Sequence, residues 1–324
     1  MSETTMGPAV DATRLPQAPG GAAQRRGSGA AGPLERRRNR ANLMLLLPAV
    51  LFIGLFLAYP LGYGIYMSLV DFTSGTFLTG EAPFVGFANY AEAIGSAHFG
   101  RALRNTLLIT IVSLAIQMSG GLLLALYFQR DFPGSRWMST VLLLPWLVPL
   151  IITATTWRWM LQGNGIINQL LAGIGIDGPS WLADSSWAIW AIIGVNTWAG
   201  LPFMATILGA ALRNVPHELE EAATLDGAGY WRRLWSITLP QIMPVMLVMT
   251  ILGIIATLKV LDLVLALTGG GPANSTQTLA LLSYDSSFRH FNFGVGAAFG
   301  NVLLVVTIII AAVYAWLSRR EEAN

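Results

Sequence analysis

The sequence predicts an all-α membrane protein that crosses the bilayer six times. Hydrophobic residues make up 54% of the 324 positions and charged residues 11%, whereas a soluble globular domain carries roughly a quarter charged residues. The mean hydropathy is +0.58. Apolar stretches of about 20 residues, the length of a membrane-spanning helix, lie near 43–68, 105–128, 139–161, 187–212, 241–263 and 294–317. We therefore expect one membrane domain over 42–324.

Residues 1–41 differ from the rest in composition. They are rich in Ala, Gly, Pro and Arg and end in a basic cluster of Arg36, Arg37, Arg38 and Arg40. Such a composition without apolar periodicity is typical of disorder, so we predict a disordered basic tail. A signal peptide is the alternative, but the following apolar stretch is longer than a signal-peptide core and lacks a small-residue cleavage site.

The basic residues predict the orientation of the chain. With the N-terminus in the cytoplasm, fourteen of the nineteen Lys and Arg residues lie on the cytoplasmic side, as the positive-inside rule requires. The outer side then holds Arg101, Arg104, Arg158 and Arg289. Both termini and the polar segment 213–240 are therefore predicted to be cytoplasmic. The basic pI of 9.1 fits this topology better than nucleic-acid binding.

The composition also excludes several kinds of chemistry. The chain has no cysteine, which rules out disulfides, catalytic thiols and zinc–thiolate sites. His98, His217 and His290 show no metal-ligand spacing. Lys259 is the single lysine and no G-x-x-x-x-G-K-[ST] motif surrounds it, so the chain has no P-loop. No cofactor is expected here: if ATP drives this protein, a partner subunit binds ATP and Mg²⁺.

The segment 213–240 is a polar stretch between two very apolar ones. Pro216 suits a first helical turn, Asp226-Gly227 ends that helix, and a second helix is predicted from near Gly229. One face of the second helix is predicted to carry Trp231, Leu234 and Trp235. A short helix–turn–helix outside the membrane favours a protein partner. A helix lying on lipid is the alternative, because tryptophans stand beside arginines.

Two apolar stretches contain helix breakers. Pro145 and Pro149 lie in the third stretch, and Gly200-Leu201-Pro202 lies in the fourth. Breaks at membrane depth are tolerated where protein or a water-filled cavity satisfies the freed carbonyls. Two broken helices together favour a transport pathway, although each proline alone also fits an ordinary kink.

Polar side chains within the apolar stretches are candidate binding residues, because such groups are costly there and usually face the bundle interior. Lys259 and Asp262 are three residues apart, so they could pair on one helix face; a purely structural ion pair is the alternative. Trp146 and Phe203 with the amide of Asn196 would suit a sugar, whose C–H faces pack on rings and whose hydroxyls need hydrogen bonds. The alternative for a membrane tryptophan is an interface anchor.

The residues of 221–240 resemble a known signature. They read Glu221-Ala222-Ala223, three residues, Gly227, nine residues, Ile237, one residue, Leu239-Pro240. This is similar to the EAA signature, EAA-x3-G-x9-I-x-LP, of the inner-membrane permeases of binding-protein-dependent ABC importers. The stretches Leu261-Asp262-x-Val264 and Leu267-Thr268-x-Gly270-Gly271-Pro272 resemble the carbohydrate branch, the MalF-like subunits. The resemblance covers roughly residues 42–318.

The resemblance implies a type I ABC importer permease fold and a half-pore that pairs with a second, MalG-like permease in the bacterial inner membrane. It implies a cytoplasmic ATPase dimer, a solute-binding protein at the outer loops, and a sugar substrate. The residues that would contact the ATPase are Glu221, Ala222, Ala223, Asp226 and Gly227. Together with the intramembrane polar residues, the candidate substrate-binding set is Trp146, Asn196, Gly200, Phe203, Thr257, Lys259 and Asp262.

The chain departs from the maltose-type subunits in two places that bear on substrate binding. Leu150 stands where those subunits have a polar residue, and the fifth apolar stretch is charged instead of rich in asparagine. The large outer domain of the maltose subunit is also absent. Because Lys259 is cationic, a phosphorylated or acidic sugar derivative is also a possible substrate.

Two other classes of function make different predictions. A self-sufficient channel or secondary transporter, using Lys259 and Asp262 as an ion relay, would take up its substrate with this chain alone. A membrane scaffold without a conduit would tolerate replacement of Trp146, Asn196 and Lys259 with no loss of transport. The importer hypothesis predicts no uptake without the ATPase and the binding protein.

Overall fold

A computed structural model describes residues 46–130 and 132–321 of the chain. The described residues are almost entirely helical, and their only β contacts are two isolated bridges, Val70 with Phe84 and Thr73 with Asn292. Contacts divide the described chain into two units, 46–58 and 59–321. The predicted disordered tail and the domain boundary at 41/42 lie outside the described residues.

Five described helices are long and apolar enough to cross a membrane, and a sharply bent pair makes a sixth if it counts as one span. We number them in chain order as the first to sixth spans: Leu46–Ser68, Phe99–Phe128, the pair Trp137–Leu147 and Leu150–Met160, Ser185–Arg213, Tyr230–Leu258, and Phe293–Trp316. The helix of the sixth span continues beyond Trp316 and ends at Glu321. Each span overlaps one of the six predicted stretches, so the all-α, six-span prediction agrees with the described helices.

Short helices connect the spans. They are Ser74–Thr79, Ala88–Gly95, Ile166–Gly173, His217–Leu225, Asp262–Leu267 and Leu279–Tyr284. Three stretches have π-helical geometry: Gly54–Ala58 in the first span, Leu234–Thr238 in the fifth, and Asp285–Arg289 after the last short helix.

The third span is broken, as its two prolines predict. Its halves meet at an angle of 96°, and the break falls at Val148, which has an extended backbone with φ −81° and ψ 130°. The residue before a proline avoids the helical region because the ring of the proline clashes with it. Pro149 therefore ends the first half of the span and caps the second.

The prediction of a broken fourth span is wrong. Ser185–Arg213 is one continuous helix that runs through Pro202. A proline lacks only its own N–H, so one carbonyl a turn earlier loses its helical partner while the rest of the ladder can persist. Close packing against the second span supports the helix on the N-terminal side of Pro202, where a Cβ on Gly200 would touch Gln117.

The fifth span ends earlier than predicted, at Leu258 instead of 263. Lys259 caps its C-terminus, and Asp262 begins the next short helix. The two side chains are exposed, and they form no ion pair with each other; the ion pair found in the described part of the chain joins Arg289 and Asp285. The prediction that Lys259 and Asp262 pair on one helix face is therefore wrong, because the backbone turns between them.

Small residues bring the spans into close contact. A Cβ on Gly121 of the second span would lie 2.8 Å from Cβ of Met204 in the fourth. A Cβ on Gly253 of the fifth span would lie 2.5 Å from Leu114 of the second. Membrane helices pack closely where such residues remove side-chain bulk. This packing forms the walls around the cavity described next.

Candidate functional site

A cavity of about 600 Å³ lies among the second, third, fourth and fifth spans. The third span contributes every residue from Pro145 to Leu150, which are the residues at its break. The other walls come from one face of the fourth span and one face of the fifth. Because the break turns the chain sharply, a whole stretch of it faces the cavity instead of one helix face.

Five of the seven predicted substrate-binding residues line this cavity: Trp146, Asn196, Gly200, Phe203 and Thr257. The structure thus brings together residues that are far apart in sequence. Lys259 and Asp262 do not line it. They lie beyond the end of the fifth span, at the exposed turn that leads to the short helix Asp262–Leu267.

The two predicted aromatic residues form one platform. The rings of Trp146 and Phe203 stack with their centroids 5.0 Å apart and their planes 10° apart. Trp146 is 49% exposed, so part of its ring is free to contact a bound molecule. An indole held by a second ring at the wall of a cavity differs from an isolated interface anchor, and it offers a flat apolar surface.

Asn196 is held through its main chain and is free at its side chain. The residue is 8% exposed, and its carbonyl accepts a hydrogen bond of 2.9 Å from Nε2 of Gln117 on the second span. Its side-chain Nδ2 is buried and has no hydrogen-bond partner among the described residues. A buried donor without a partner is costly, and here it belongs to a residue that lines the cavity.

Gln117 was missing from the sequence-based set. It lines the cavity and is 5% exposed. A single glutamine inside a long apolar stretch indicates a candidate site residue, because polar side chains at membrane depth usually have a partner or a function. Its partner lies 79 positions away in sequence, so no local pattern connects the two residues.

The cavity wall that this chain provides carries no formal charge. No Asp, Glu, Lys, Arg or His is among the described residues that line it. Within 46–130 and 132–321, no group of three or more His, Cys, Asp or Glu is placed to hold a metal ion. The wall can therefore offer aromatic surface and neutral hydrogen-bonding groups to a bound molecule.

The polar segment forms the predicted helix–turn–helix. Its first helix is His217–Leu225, Gly227 adopts the left-handed conformation with φ +77°, and the fifth span begins at Tyr230. Pro216 lies one residue before the first helix instead of in its first turn. Nη1 of Arg233 donates a 2.9 Å hydrogen bond to the carbonyl of Ala228, which ties the turn to the second helix.

The predicted apolar face of the second helix is wrong. Trp231 and Trp235 are both 68% exposed, whereas Leu234 is 6% exposed and packs in a core cluster with Leu208 and Leu212. The α-helical part here is a single turn that widens into the π-helical stretch Leu234–Thr238. The usual spacing of helix faces therefore does not hold, and Leu234 turns inward without the tryptophans.

The predicted ATPase contacts lie on the surface of this chain. Glu221, Ala222, Asp226 and Gly227 are exposed and Ala223 is half-buried. Glu221 also lines an open groove of about 440 Å³ whose other residues include His217, Glu220 and Arg233. Side chains that the chain itself does not cover are available to a partner.

Apolar helices of membrane-spanning length, four of which line a cavity, are typical of a membrane permease. Residues 117–322 match the family described as the inner membrane component of binding-protein-dependent transport systems, and the chain belongs to this family. The resemblance inferred from the EAA signature is thereby confirmed. The chain is the membrane-spanning component of an ABC importer, is a multi-pass inner-membrane protein, and is not by itself an enzyme, since the ATPase of such importers is a separate subunit.

Relatives of known name agree with this assignment. The chain is 33% identical to the sulfoquinovosyl glycerol transport system permease SmoG of Agrobacterium fabrum, over 86% of this chain and 91% of that protein. It is 32% identical to the trehalose/maltose transport system permease MalF of Thermococcus litoralis, over 88% of this chain and 96% of that protein.

The fold is also that of a solved importer. The chain is similar to a subunit in the crystal structure of a bacterial ABC transporter that imports the acidic polysaccharide alginate, with a TM-score of 0.74 and 25% identity. The similarity covers 88% of this chain and 96% of that one. The predicted type I importer permease fold is thereby confirmed.

Proposed function

We propose that this chain forms half of the membrane path for a neutral sugar, which an extracytoplasmic binding protein delivers and ATP hydrolysis in a partner drives inward. The observation that carries the proposal is the uncharged cavity, which is lined by the Trp146–Phe203 platform and by Asn196, a residue whose buried Nδ2 has no partner among the described residues. A sugar ring has apolar C–H faces and a rim of hydroxyls. The platform suits the faces and the amide suits the hydroxyls.

The names of the relatives support a sugar as the substrate. The two permeases named above belong to transport systems for sulfoquinovosyl glycerol and for trehalose or maltose. The part of the lining that this chain provides is uncharged, which favours a neutral sugar, because a buried anion without a cationic partner is strongly disfavoured. An acidic sugar, such as those named for the sulfoquinovosyl glycerol and alginate systems, would need a cationic partner from the second permease. Lys259 itself lies outside the cavity lining.

We further propose that the segment 213–240 faces the cytoplasm and binds the ATPase through Glu221, Ala222, Ala223, Asp226 and Gly227. The match to the EAA signature, the exposure of these residues and the distribution of arginines support this orientation. A second, MalG-like permease would close the cavity on the side that this chain leaves open. Both termini of the chain would then be cytoplasmic, and no cofactor would bind to this subunit.

A self-sufficient transporter that relays ions through Lys259 and Asp262 is the less favoured alternative. Those two residues are exposed, unpaired with each other and separated by the end of a helix. An ion relay requires groups that exchange protons or share an ion along a path.

The test is uptake in proteoliposomes. The chain is reconstituted with its partner permease and ATPase, and the binding protein is first screened against neutral and acidic sugars by thermal shift. We expect ATP-dependent uptake of a neutral sugar such as trehalose, none from the chain alone under an ion gradient, and a loss of about tenfold or more in uptake for Trp146→Ala. Uptake by the chain alone, or of acidic sugars only, would contradict the proposal.

A further inference from the structure

We propose that Gln117 is a positioning residue for Asn196, and that Gly200 serves transport by making room for Gln117 instead of by touching the sugar. The inference rests on the proposed function, which places Asn196 at the sugar. It assigns a role to Gln117, and it changes the role of Gly200, which the resemblance to maltose-type subunits had placed among the substrate contacts.

The first step is the hydrogen bond between the second and fourth spans. Nε2 of Gln117 donates to the carbonyl oxygen of Asn196 at 2.9 Å. A carbonyl can only accept, so the nitrogen of the Gln117 amide must face it. Both residues are buried and both line the cavity. In surroundings with few competing donors, such a bond fixes the position of the main chain at Asn196.

The second step is the space above Gly200. A Cβ built on Gly200 would lie 2.7 Å from Nε2, 2.8 Å from Cδ and 2.9 Å from Oε1 of Gln117. All three distances are shorter than van der Waals contact, so the whole amide group lies against the bare backbone of Gly200. A methyl group at position 200 would force this amide, the flexible end of the Gln117 side chain, to shift. We expect the shift to lengthen or break its hydrogen bond to Asn196.

The third step connects this packing to the cavity. Asn196, Gly200 and Phe203 follow one another at helical spacing on the same face of the fourth span. The free Nδ2 of Asn196 and the ring of Phe203 therefore lie on either side of the point where Gln117 contacts the helix. The contact with Gln117 fixes the position of this face of the fourth span relative to the second span, and so the geometry offered to a sugar.

The fourth span supplies a matched control. Gly194 lies six residues before Gly200 in the same continuous helix, and a Cβ there would meet nothing within 4 Å in the described part of the chain. Gly194→Ala and Gly200→Ala make the same chemical change and the same gain in helix propensity. A difference in transport between these two variants is therefore due to the contact of position 200 with Gln117.

The test is a double-mutant cycle in the assembled transporter with Gly200→Ala, Gln117→Ala and the double variant. We expect Gly200→Ala to raise the KM for sugar uptake about tenfold, as the loss of one well-placed polar contact does, with a smaller change in kcat. In the Gln117→Ala background the same glycine change should alter KM less than about twofold, since a short side chain leaves room for the methyl group. Gly194→Ala should leave KM unchanged.

Two outcomes overturn the inference. If Gly200→Ala raises KM by the same factor in the wild type and in the Gln117→Ala background, then Gly200 acts independently of Gln117 and touches the sugar. If Gly200→Ala leaves KM unchanged, the close contact has no role in transport. A third variant, Gln117→Asn, keeps the amide but shortens its reach, so it should raise KM as Gln117→Ala does.

The thermal unfolding midpoints of the same complexes separate this inference from the proposed function. The coupling between positions 117 and 200 appears in these midpoints whether or not sugar is carried. A wild-type transporter that carries no neutral sugar would overturn the proposed function. Additive midpoints, with no coupling between the two positions, would overturn the packing inference instead.

Discussion

The cavity wall and the helix–turn–helix of residues 217–238 use glycine in opposite ways. Gly200 and Gly253 lie where a Cβ would collide with side chains of a neighbouring span of the same chain. Gly227 has no described atom within 4 Å of its missing Cβ, and it is required by its backbone angle, φ +77°. The wall is thus constrained by contacts within the chain, and the turn is constrained by its own conformation.

This difference separates two kinds of function. A glycine in the wall contributes to packing and to the shape of the cavity at the same time, so its replacement changes both. A residue at the exposed turn contributes little to the packing of the described chain. Its replacement should therefore affect what the turn binds while leaving the helical bundle folded.

The largest effect is expected at the turn. Gly227→Val forces a β-branched side chain into the left-handed region, which costs about 1–3 kcal/mol and should reorient the helix His217–Leu225. We expect transport and stimulated ATP hydrolysis to be lost while the chain still inserts and folds. ATP hydrolysis and co-purification of the ATPase measure this directly.

Gly229→Val is the control for that variant. Gly229 is also free of neighbours within 4 Å, but its φ of −67° and ψ of 165° are extended backbone that valine adopts readily. It should retain coupling. Normal ATPase stimulation in Gly227→Val would contradict the claim that the conformation of this turn is needed for coupling to the ATPase.

The next effect is expected in the wall, at Asn196. Because Nδ2 has no partner among the described residues, Asn196→Ala removes a contact to the sugar and no side-chain bond within the described chain. We expect uptake to fall about tenfold, while the unfolding midpoint and ATP hydrolysis stimulated by the binding protein are retained.

Thr197→Ala sharpens this prediction. Oγ1 of the native Thr197 is likewise buried without a partner among the described residues, but Thr197 is not part of the cavity lining. Uptake by Thr197→Ala should match the wild type. Undiminished uptake by Asn196→Ala would remove Asn196 from the site.

A smaller effect is expected at Asp285, in the connection between the fifth and sixth spans. Burial raises the pKa of this carboxyl, even though Arg289 and His290 act in the opposite direction. The folded state then holds the proton more tightly than the unfolded state. The stability from this group is present below the ordinary pKa of aspartate and is lost as pH rises through the raised pKa.

Thermal unfolding between pH 4.5 and 8 tests this sign. The midpoint of the wild type should fall with rising pH relative to Asp285→Asn, because the cost of burying the ionised carboxyl appears only as the group loses its proton. Loss of the 3.2 Å ion pair with Arg289 should matter little, because the Arg289 side chain is half exposed. A difference between the two proteins that does not change with pH would contradict the assignment.

The smallest effect is expected at Lys259. Lys259→Ala and Asp262→Ala should each leave the KM for a neutral sugar within about twofold of the wild type, since exposed and unpaired charges contribute little. A large loss of uptake in either variant would place these residues on the path after all. It would also revive the ion-relay alternative.

Much of the fold could be predicted because its signals are local. A run of apolar residues long enough to span a bilayer predicts a helix without any tertiary information, and Asp226-Gly227 predicts a turn because glycine tolerates a positive φ. The end of the fifth span could not be placed in this way. Hydrophobic residues continue through Val260 and Leu261, so composition gave no sign that the backbone turns after Leu258.

The candidate site was predictable only where residue type matched chemistry. Trp146, Phe203 and Asn196 drew attention as rings and an amide in apolar helices. Gln117 was missed because its bond crosses between two spans, and the close fit of Gly200 cannot be seen without knowing which side chain lies above it. Lys259 was assigned to the site because a charge in an apolar stretch is conspicuous, although it lies beyond the helix end.

The break in the third span has a genetic consequence. On a regular helix only every third or fourth residue faces a given cavity. Here six consecutive residues, from Pro145 to Leu150, line the cavity. Six adjacent codons therefore encode most of one wall. Selectivity can diverge between related transporters through changes in that single short stretch of the gene, while the helices on either side keep the sequences that pack them into the bundle.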